Sequence, residues 1–292
     1  MTRLGRPGID WRVVLYRAKH IVESYDTPVT LRQLFYRLVA ARILPNTRSY
    51  YVSLSRETAK ARRQHRFPRL ADNTSAIDRN ASWDSPDAAL NALAAQYRRD
   101  RTDGQAYNVY LGNEKDGQVA QLRSWFGSGL GLPVVALGGY GSQSYVDVVK
   151  DDVANDGRPT VLLYAGDFDP SGEDIARDFV KRTDCWDEVR RIALTDEQVR
   201  EFDLSRNLVE KADRRAPAFC ERYGLTCSPA GLTPKGAQIW GYQQIELDAL
   251  IPTDLRALYQ AGIDEFWDDG AYQASLAQEA ADRTELNRRI AS

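Results

Sequence analysis

Two aspartates one residue apart, Asp167 and Asp169, are the side chains of this sequence best placed to do chemistry. They follow the apolar run from Val161 to Tyr164, which is typical of a buried strand. Ligands of open α/β sheets bind beyond the carboxyl ends of the strands, so carboxylates at that point are expected to face a site. Oxygen ligands on a tight turn suit Mg²⁺. The alternative is a solvated Asp-x-Asp turn that only caps the following helix.

This acidic turn leads into a predicted helix. Ser171 is expected to be its N-cap, with Asp174 three residues later. The apolar face of the helix would then consist of Ile175, Ala176 and Phe179. The stretch is therefore interpreted as a strand, an acidic turn and a helix.

A second acidic strand end occurs earlier in the chain. The run from Tyr107 to Leu111 alternates as a strand does, and Glu114 and Lys115 follow it. Glu114 thus holds the same kind of position as Asp167. We predict that Glu114 joins the two aspartates in holding one Mg²⁺.

The segment between these two acidic turns supplies a further strand and helix. Leu132 to Leu137 is a strand of the buried type, and the glycine-rich turn at residues 138–144 opens another helix. The repeated alternation of strand and helix predicts an α/β fold with a parallel sheet flanked by helices.

An arginine and a tyrosine on one predicted helix form a second group of side chains that could take part in a reaction. Thr30 and Gln33 have the spacing of a capping box, which predicts a helix from residue 31 to about residue 43. Arg32 and Tyr36 lie one turn apart on that helix. A phenol is almost fully protonated at neutral pH, so a nearby cation is needed to favour a phenolate nucleophile and to hold a phosphate. The alternative is an amphipathic tyrosine at the edge of a core.

The next predicted helix runs from Arg48 to about Gln64 and carries a basic face. The basic residues of this face are Arg48, Arg56, Lys60, Arg62 and Arg63. Three short helices with a tight turn before the most basic one favour a helix-turn-helix or winged-helix unit, whose last helix enters the major groove. A wing and a linker are expected within residues 65–85. A solvated basic face is the alternative interpretation.

The net charge of −2 hides an asymmetry along the chain. Residues 1–70 contain 15 Lys and Arg against 4 Asp and Glu, a net charge of +11. The whole chain has 39 basic and 41 acidic side chains, so the remainder has 24 against 37, a net charge of −13. A basic module joined to an acidic body is a common layout for a nucleic-acid-binding protein with a metal-dependent centre. Together with the predicted major-groove helix, this layout favours double-stranded DNA as the partner.

The cysteine and histidine content limits the kinds of metal site and cross-link that the chain could have. The 3 cysteines have no metal-type spacing and the chain has only 2 histidines, so neither a disulfide framework nor a zinc site is expected. A metal site would have to consist of carboxylates. The sequence shows no apolar run of membrane-spanning length and no signal-peptide pattern, and we expect a cytoplasmic protein without a membrane partner.

These patterns predict three parts, which are a winged-helix DNA-binding module at residues 1–85, a linker helix at 86–104 and a larger α/β domain with C-terminal helices at 105–292. Within the last part, we expect helical structure at residues 194–223, irregular structure at 224–245 and helices at 247–290.

The acidic turns and the glycine-rich turn resemble the Toprim domain, in particular the version in topoisomerase VI A subunits and the meiotic double-strand-break transesterase. Glu114-Lys115, Gly138-Gly-Tyr-Gly-Ser142 and Asp167-Phe-Asp-Pro-Ser-Gly172 occur in the order of that domain, and residues 244–250 are similar to a segment near its end. The resemblance covers roughly residues 105 to 270. This chain has Ser171 where that group typically has a tyrosine.

The N-terminal part also resembles this group. Residues 31–36 are similar to the Arg-x-x-Tyr-Tyr segment of the winged-helix domain that precedes Toprim in topoisomerase VI A subunits, although Phe35 replaces the first tyrosine. Tyr36 matches the nucleophilic tyrosine and Arg32 the arginine of the motif.

The resemblance implies a winged-helix module followed by a Rossmann-like Toprim sheet, and an enzyme that breaks DNA. Tyr36 would become linked to the 5′ end, Mg²⁺ held by Glu114, Asp167 and Asp169 would stabilise the phosphate, and Lys115 would contact DNA. A homodimer is also implied, in which the tyrosine of one subunit meets the metal of the other. No Gly-x-x-x-x-Gly-Lys loop occurs, so ATP-driven strand passage would need a separate ATPase subunit.

Two other functions fit the same residues. A Toprim nuclease, like those of plasmid-defence systems, would use the metal to activate water, with Tyr36 only structural. A DNA-binding module with a vestigial metal site is the second. Tyr50 and Tyr51 are rival nucleophiles, although neither matches the motif.

Overall fold

The computed structural model describes residues 9–71, 80–139, 141–204 and 206–291 of the chain. It divides into two compact units. The first unit comprises residues 1–74, 166–174 and 193–255, and the second comprises 75–165, 175–192 and 256–292. The chain therefore passes several times from one unit to the other. The sequence-based division near residues 85 to 104 stays a prediction.

The helices of the described residues, in chain order, are α1 (Trp11–Glu23), α2 (Leu31–Ala40), α3 (Arg48–Arg63), α4 (Pro86–Gln96), α5 (Asp116–Leu122), α6 (Ser128–Leu130), α7 (Gln143–Ala154), α8 (Pro170–Thr183), α9 (Asp196–Glu201), α10 (Ala216–Tyr223), α11 (Pro252–Asp264) and α12 (Asp269–Ile290). The strands are β1 (Asn108–Asn113), β2 (Val134–Ala136), β3 (Thr160–Ala165), β4 (Glu188–Ala193), β5 (Asn207–Lys211), β6 (Cys227–Leu232) and β7 (Gln238–Gln244). A π-helical turn covers Arg123–Gly127 and a 3-10 turn covers Leu247–Ala249.

In the first unit, α1, α2 and α3 pack around one apolar core. Val14, Leu34, Leu38 and Leu54 are among its buried side chains. The predicted helical N-terminal part is therefore confirmed. The predicted ends of α2 and α3 were three residues and one residue too far along the chain, which is ordinary fraying of a helix terminus.

The start of α2 is fixed by the capping box that its sequence predicts. The Gln33 N–H donates to the Thr30 hydroxyl at 3.2 Å, and the Thr30 N–H donates to the Gln33 side-chain oxygen at 2.9 Å. Just before the helix, the Val29 carbonyl accepts a hydrogen bond of 2.8 Å from the Ala71 N–H. Of the segment expected to form a wing and a linker, residues 72–79 lie outside the described residues.

The first unit also contains an antiparallel sheet in the order β5-β7-β6. The expected helical structure at 194–223 is present as α9 and α10, but β5 interrupts it, and the expectation of irregular structure at 224–245 was wrong. The sequence hides these strands because β6 contains Pro229 and Gly231, next to an irregularity in its pairing with β7. Cross-strand pairing here overrides weak local strand preference.

In the second unit, the sheet has the order β2-β1-β3-β4, and β1 is parallel to both β2 and β3. All six residues of β1 and of β3 are buried, as is typical of strands covered on both faces. Buried side chains of α7 and α8, including Val149 and Phe179, pack against this sheet. The predicted mixed α/β class with a parallel sheet flanked by helices is confirmed at this level. No helix of the described residues is long and apolar enough to cross a membrane.

Thr30→Ala tests the capping box. The change removes the acceptor for a backbone N–H in the first turn of α2, so we expect the free energy of unfolding to fall by about 1 kcal/mol in urea denaturation. Thr47→Ala is the matched control, because Thr47 is the N-cap of α3 but its side chain makes no capping bond to the helix backbone, and its hydroxyl instead pairs with the exposed Ser49 hydroxyl. Equal losses in the two variants would contradict the capping argument.

Candidate functional site

A short antiparallel bridge in the first unit brings acidic residues together. The Phe168 N–H donates to the Ile245 carbonyl at 2.9 Å, and the Ile245 N–H donates to the Phe168 carbonyl at 3.2 Å. Since side chains alternate along paired strands, both apolar side chains lie on one side and their neighbours lie on the other. This register sets Asp167 opposite Glu246, with the β-carbons of such a pair roughly 4.5 to 5.5 Å apart.

Asp169, and not Ser171, caps helix α8. The helix begins at Pro170, and the Asp169 carboxylate accepts a hydrogen bond of 2.7 Å from the Gly172 N–H. The Ser171 hydroxyl instead donates to Asp213 at 3.0 Å. The prediction of Ser171 as N-cap was therefore wrong by two residues. Proline at the first helical position needs no hydrogen bond for its nitrogen, which favours the earlier start.

The acidic side chains of the bridge are buried but compensated. Asp167 is 6% exposed, and its carboxylate accepts a hydrogen bond of 2.8 Å from the Leu247 N–H. Glu246 is 8% exposed, and its carboxylate accepts a hydrogen bond of 2.9 Å from the Gln244 side-chain amide. Lys211 Nζ lies 3.9 Å from an Asp169 oxygen. Charges taken out of water require such partners, so these side chains are held in defined positions.

Arg32 links helix α2 to this acidic group. One of its Nη atoms lies 3.9 Å from a Glu246 oxygen, and its guanidinium carbon lies 5.5 Å from the centre of the Tyr36 ring. Burial disfavours the charged form of this side chain. Tyr36 and three carboxylates outweigh that effect and raise the pKa of Arg32; the carboxylates are those of Glu246, Asp248 and Asp167. One guanidinium therefore interacts with both the tyrosine and the acidic group.

The position of α2 against the acidic group is fixed by a second arginine. Arg37 donates from Nη1 to the Ala249 carbonyl at 2.8 Å. Ala249 closes the 3-10 turn that directly follows Glu246. The same contact therefore holds the helix that carries Tyr36 and the turn that carries Asp248.

Tyr36 itself packs at the edge of the helical core, as its periodicity predicts. Its ring meets the Phe35 ring edge to face, with centroids 5.5 Å apart. Phe35 also contacts Tyr51 edge to face at 5.3 Å. The predicted face shared by Arg32 and Tyr36 is present, whereas the role of Tyr36 as a nucleophile stays a prediction.

Glu246 and Asp248 are acidic residues that the sequence did not assign to the site. They lie in Gln244-Ile-Glu-Leu-Asp248, where polar and apolar residues alternate as on a half-buried strand. That alternation, together with the likeness of residues 244–250 to a Toprim segment, was the available signal. The register opposite Asp167 is not encoded locally, because it depends on residues about 80 positions away.

An ion-pair network holds the first turn of α8. Arg215 donates to both oxygens of Asp213 at 2.8 Å and pairs with Asp174. Its second Nη atom also lies 3.2 Å from the Ser171 hydroxyl. Ser171 is thus engaged in structure, and it fixes the helix that Asp169 caps.

Glu114 and Lys115 lie in the second unit, at the carboxyl end of β1. The Glu114 N–H donates to the Ala165 carbonyl at 3.0 Å, and Lys115 Nζ lies 3.5 Å from a Glu114 oxygen. The register pairs Asn113 with Ala165, so β1 and β3 end at the same level. A metal shared by Glu114 and the two aspartates stays a prediction.

A Mg²⁺ site requires a suitable set of oxygen ligands. Within the described ranges, no group of three or more His, Cys, Asp or Glu side chains is arranged to hold a metal ion. Mg²⁺ in phosphate-transferring sites is usually held by only one or two carboxylates, with waters and substrate phosphates as the other ligands. Asp167 and Glu246, two buried carboxylates that face each other across the bridge, fit that requirement.

The basic residues predicted to bind DNA, apart from Lys115 after β1, lie on α3. Arg48, Arg56, Lys60 and Arg63 are exposed, and Arg62 is half-buried. The opposite face is buried through Leu54, Thr58 and Ala61. The predicted amphipathic basic helix is therefore present, and its contact with DNA stays a prediction.

No family model, curated protein or solved structure matches this chain. The chemical assignment therefore depends on the residues themselves.

The pH dependence of stability in Asp213→Asn tests the ion pairs of Arg215 at the first turn of α8. Burial raises the pKa of Asp213, but hydrogen bonds from Arg215 and Ser171 outweigh it, so this pKa lies below its ordinary value. A lowered folded-state pKa stabilises the fold above the unfolded-state value and ceases to do so as pH falls through the folded one. We therefore expect Asp213→Asn to be less stable than wild type at pH 7, with the difference shrinking as pH falls below about 4.

Urea unfolding between pH 7 and pH 3 measures this difference. Asp151→Asn, at an exposed position of α7, is the matched control and should keep the acid dependence of the wild type. A stability gap for Asp213→Asn that is constant with pH would contradict the assigned ion pair.

Proposed function

We propose that this protein breaks DNA by transesterification through Tyr36 with the help of Mg²⁺, in the manner of topoisomerase VI A subunits. The observation that carries the proposal is the position of Arg32, which contacts the Tyr36 ring and lies 3.9 Å from Glu246. A nucleophile, a cation for the phosphate and buried carboxylates thus belong to one unit of one chain.

The proposed reaction is a balanced exchange of one ester for another. The Tyr36 hydroxyl gives up its proton and its oxygen attacks the phosphorus. A bond from this oxygen to the 5′-phosphate forms, the bond from phosphorus to the 3′ oxygen breaks, and the 3′ end leaves as a hydroxyl. Because the phosphodiester is replaced by a phosphotyrosine, the step is reversible and needs no external energy source.

The residues around Tyr36 have separate tasks in this proposal. Arg32 neutralises the phosphate under attack and orients it towards the phenol. Asp167 and Glu246 would hold Mg²⁺, which when bound supplies Lewis-acid stabilisation of the phosphate and of the leaving oxygen. Asp169 and Lys211, which lie 3.9 Å apart, provide further charged groups beside this centre.

The N-terminal helices are proposed to be a winged-helix DNA reader. The exposed basic face of α3 would enter the major groove, as the last helix of such units does. The acidic centre would be the Toprim part of the protein. The net charge of +11 in residues 1–70 supports a polyanionic partner.

Hydrolysis is the competing function, and the packing of Tyr36 favours it. The Tyr36 ring is partly buried against the helical core and meets Phe35 edge to face, which is also the environment of a structural tyrosine. In that case the metal held at Asp167 and Glu246 would activate water.

A homodimer is proposed because a double-strand break needs two nucleophiles. Arg32 contacts Glu246 of the same chain, so we propose that each subunit cleaves one strand with its own tyrosine and its own carboxylates. The topoisomerase VI resemblance implies the exchanged arrangement instead. Strand passage would require a separate ATPase subunit.

Trapping a covalent adduct tests Tyr36 as the nucleophile. Wild type incubated with supercoiled DNA and Mg²⁺, then denatured without protease, should yield protein attached to 5′ ends, because a phosphotyrosine ester survives denaturation. Tyr36→Phe should abolish adduct and cleavage and leave DNA affinity unchanged. Chelation of Mg²⁺ with EDTA should abolish both in the wild type. Tyr50→Phe is the matched control and should retain them.

The opposite pattern identifies the competing function. If Tyr36→Phe still cleaves DNA while Asp167→Ala does not, metal-activated water is the nucleophile and the transesterase is wrong. Clean 5′ ends without attached protein in the wild type would have the same meaning.

Mixed dimers of Tyr36→Phe and Asp167→Ala subunits, isolated by two affinity tags, test which chain supplies the carboxylates. If each site uses one chain, both sites of the mixed dimer are defective and nicking should stay at the level of the single variants. If the sites exchange residues, one site is intact and nicking of one strand should recover to about half the wild-type level. Recovery would contradict our arrangement.

A further inference from the structure

A cleft of about 640 Å³ lies at the carboxyl end of α3, apart from the acidic group. Its lining consists of Ala59, Arg62, Arg63, His65, Phe67, Pro68 and Arg69. The volume is in the range typical of ligand-binding pockets.

The walls of this cleft are fixed by the fold. After α3 the chain reverses through His65, whose φ is +55°. The His65 N–H donates to the Arg62 carbonyl at 3.0 Å, and the Arg66 N–H donates to the Ala61 carbonyl at 2.9 Å. Phe67, 7% exposed, anchors the returning segment in the helical core. The cleft is therefore part of the packed first unit.

The ionisable side chains that line the cleft are all of the basic types. They are three arginines and a histidine, and the lining contains no acidic side chain. A cleft lined by one sign of charge concentrates its field and attracts a ligand of the opposite sign.

Basic residues at the end of a helix also have an ordinary explanation. They compensate the partial negative charge of the last carbonyl groups. That effect accounts for Arg62 and Arg63, which lie in the last turn of α3, but not for Arg69, which lines the same cleft from six residues beyond the helix. An anion in the cleft would compensate the charges that converge from both segments.

We infer that this cleft binds one phosphate of a DNA strand, an inference that rests on the proposed DNA-breaking function. Arg62, Arg63 and Arg69 would donate to the phosphate oxygens. The apolar side chains of Ala59 and Pro68 would contact the adjacent deoxyribose. Such a contact positions the duplex against α3 without reading its sequence.

The test compares single charge removals in the cleft with one outside it. Arg62→Gln and Arg69→Gln should each weaken binding of a fluorescent duplex, and each should reduce the slope of log affinity against log salt by about one. Arg17→Gln, an exposed arginine of α1, is the matched control and should leave the slope unchanged.

Inorganic phosphate serves as a second probe, read by the His65 ring signals in NMR spectra of the whole chain. Saturable shifts that vanish in Arg62→Gln, together with the DNA results above, support the inference. If wild type binds DNA while neither probe responds to the cleft variants, the inference is wrong and the DNA-binding function stands. If phosphate binds in the cleft but wild type binds no DNA, the proposed function fails and so does DNA as the source of the phosphate.

Discussion

The bridge between Phe168 and Ile245 is the constraint on which the acidic centre depends. Two buried apolar side chains occupy one side of it, and the alternation of a paired strand forces the neighbouring acids to the other side. Buried carboxylates must then find donors. The Leu247 and Gly172 N–H groups and the Arg32 guanidinium are within reach. The packing of Phe168 and Ile245 in the core therefore also sets the positions of the neighbouring carboxylates.

Arg32 joins stability to the proposed chemistry. In the fold it offsets the charge of Glu246 and covers the Tyr36 ring. A phosphate approaching Tyr36 would meet the same guanidinium, so substrate would replace a carboxylate as its partner. The contact is long for an ion pair and half of the side chain is exposed, which leaves the cation accessible. Arg32 would then exchange its ion pair with Glu246 for one with the phosphate, so the net gain in binding free energy would be small.

Charge is distributed differently in space than along the chain. The sequence separates a basic start from an acidic remainder, yet the first unit contains both the basic α3 and the acids of residues 167, 169 and 246. A polyanion that binds to α3 is attracted by the arginines and repelled by uncompensated carboxylates. Pairing the acids with backbone donors and with Arg32 reduces that repulsion.

The sequence by itself determined what depends on near neighbours. The capping box of α2, the apolar faces of α1 to α3 and the buried strands β1 and β3 all follow from patterns within a few residues. Only the tertiary structure decided that β5, β6 and β7 form a sheet, that Ser171 serves an ion pair and that Glu246 faces Asp167. The hydrogen-bond partners of Ser171 and Asp167 lie 42 and 80 residues away, and the paired residues of β5 and β7 lie 29 to 37 residues apart. Such pairings form only when the chain folds, so the propensities and periodicity of a local stretch do not predict them.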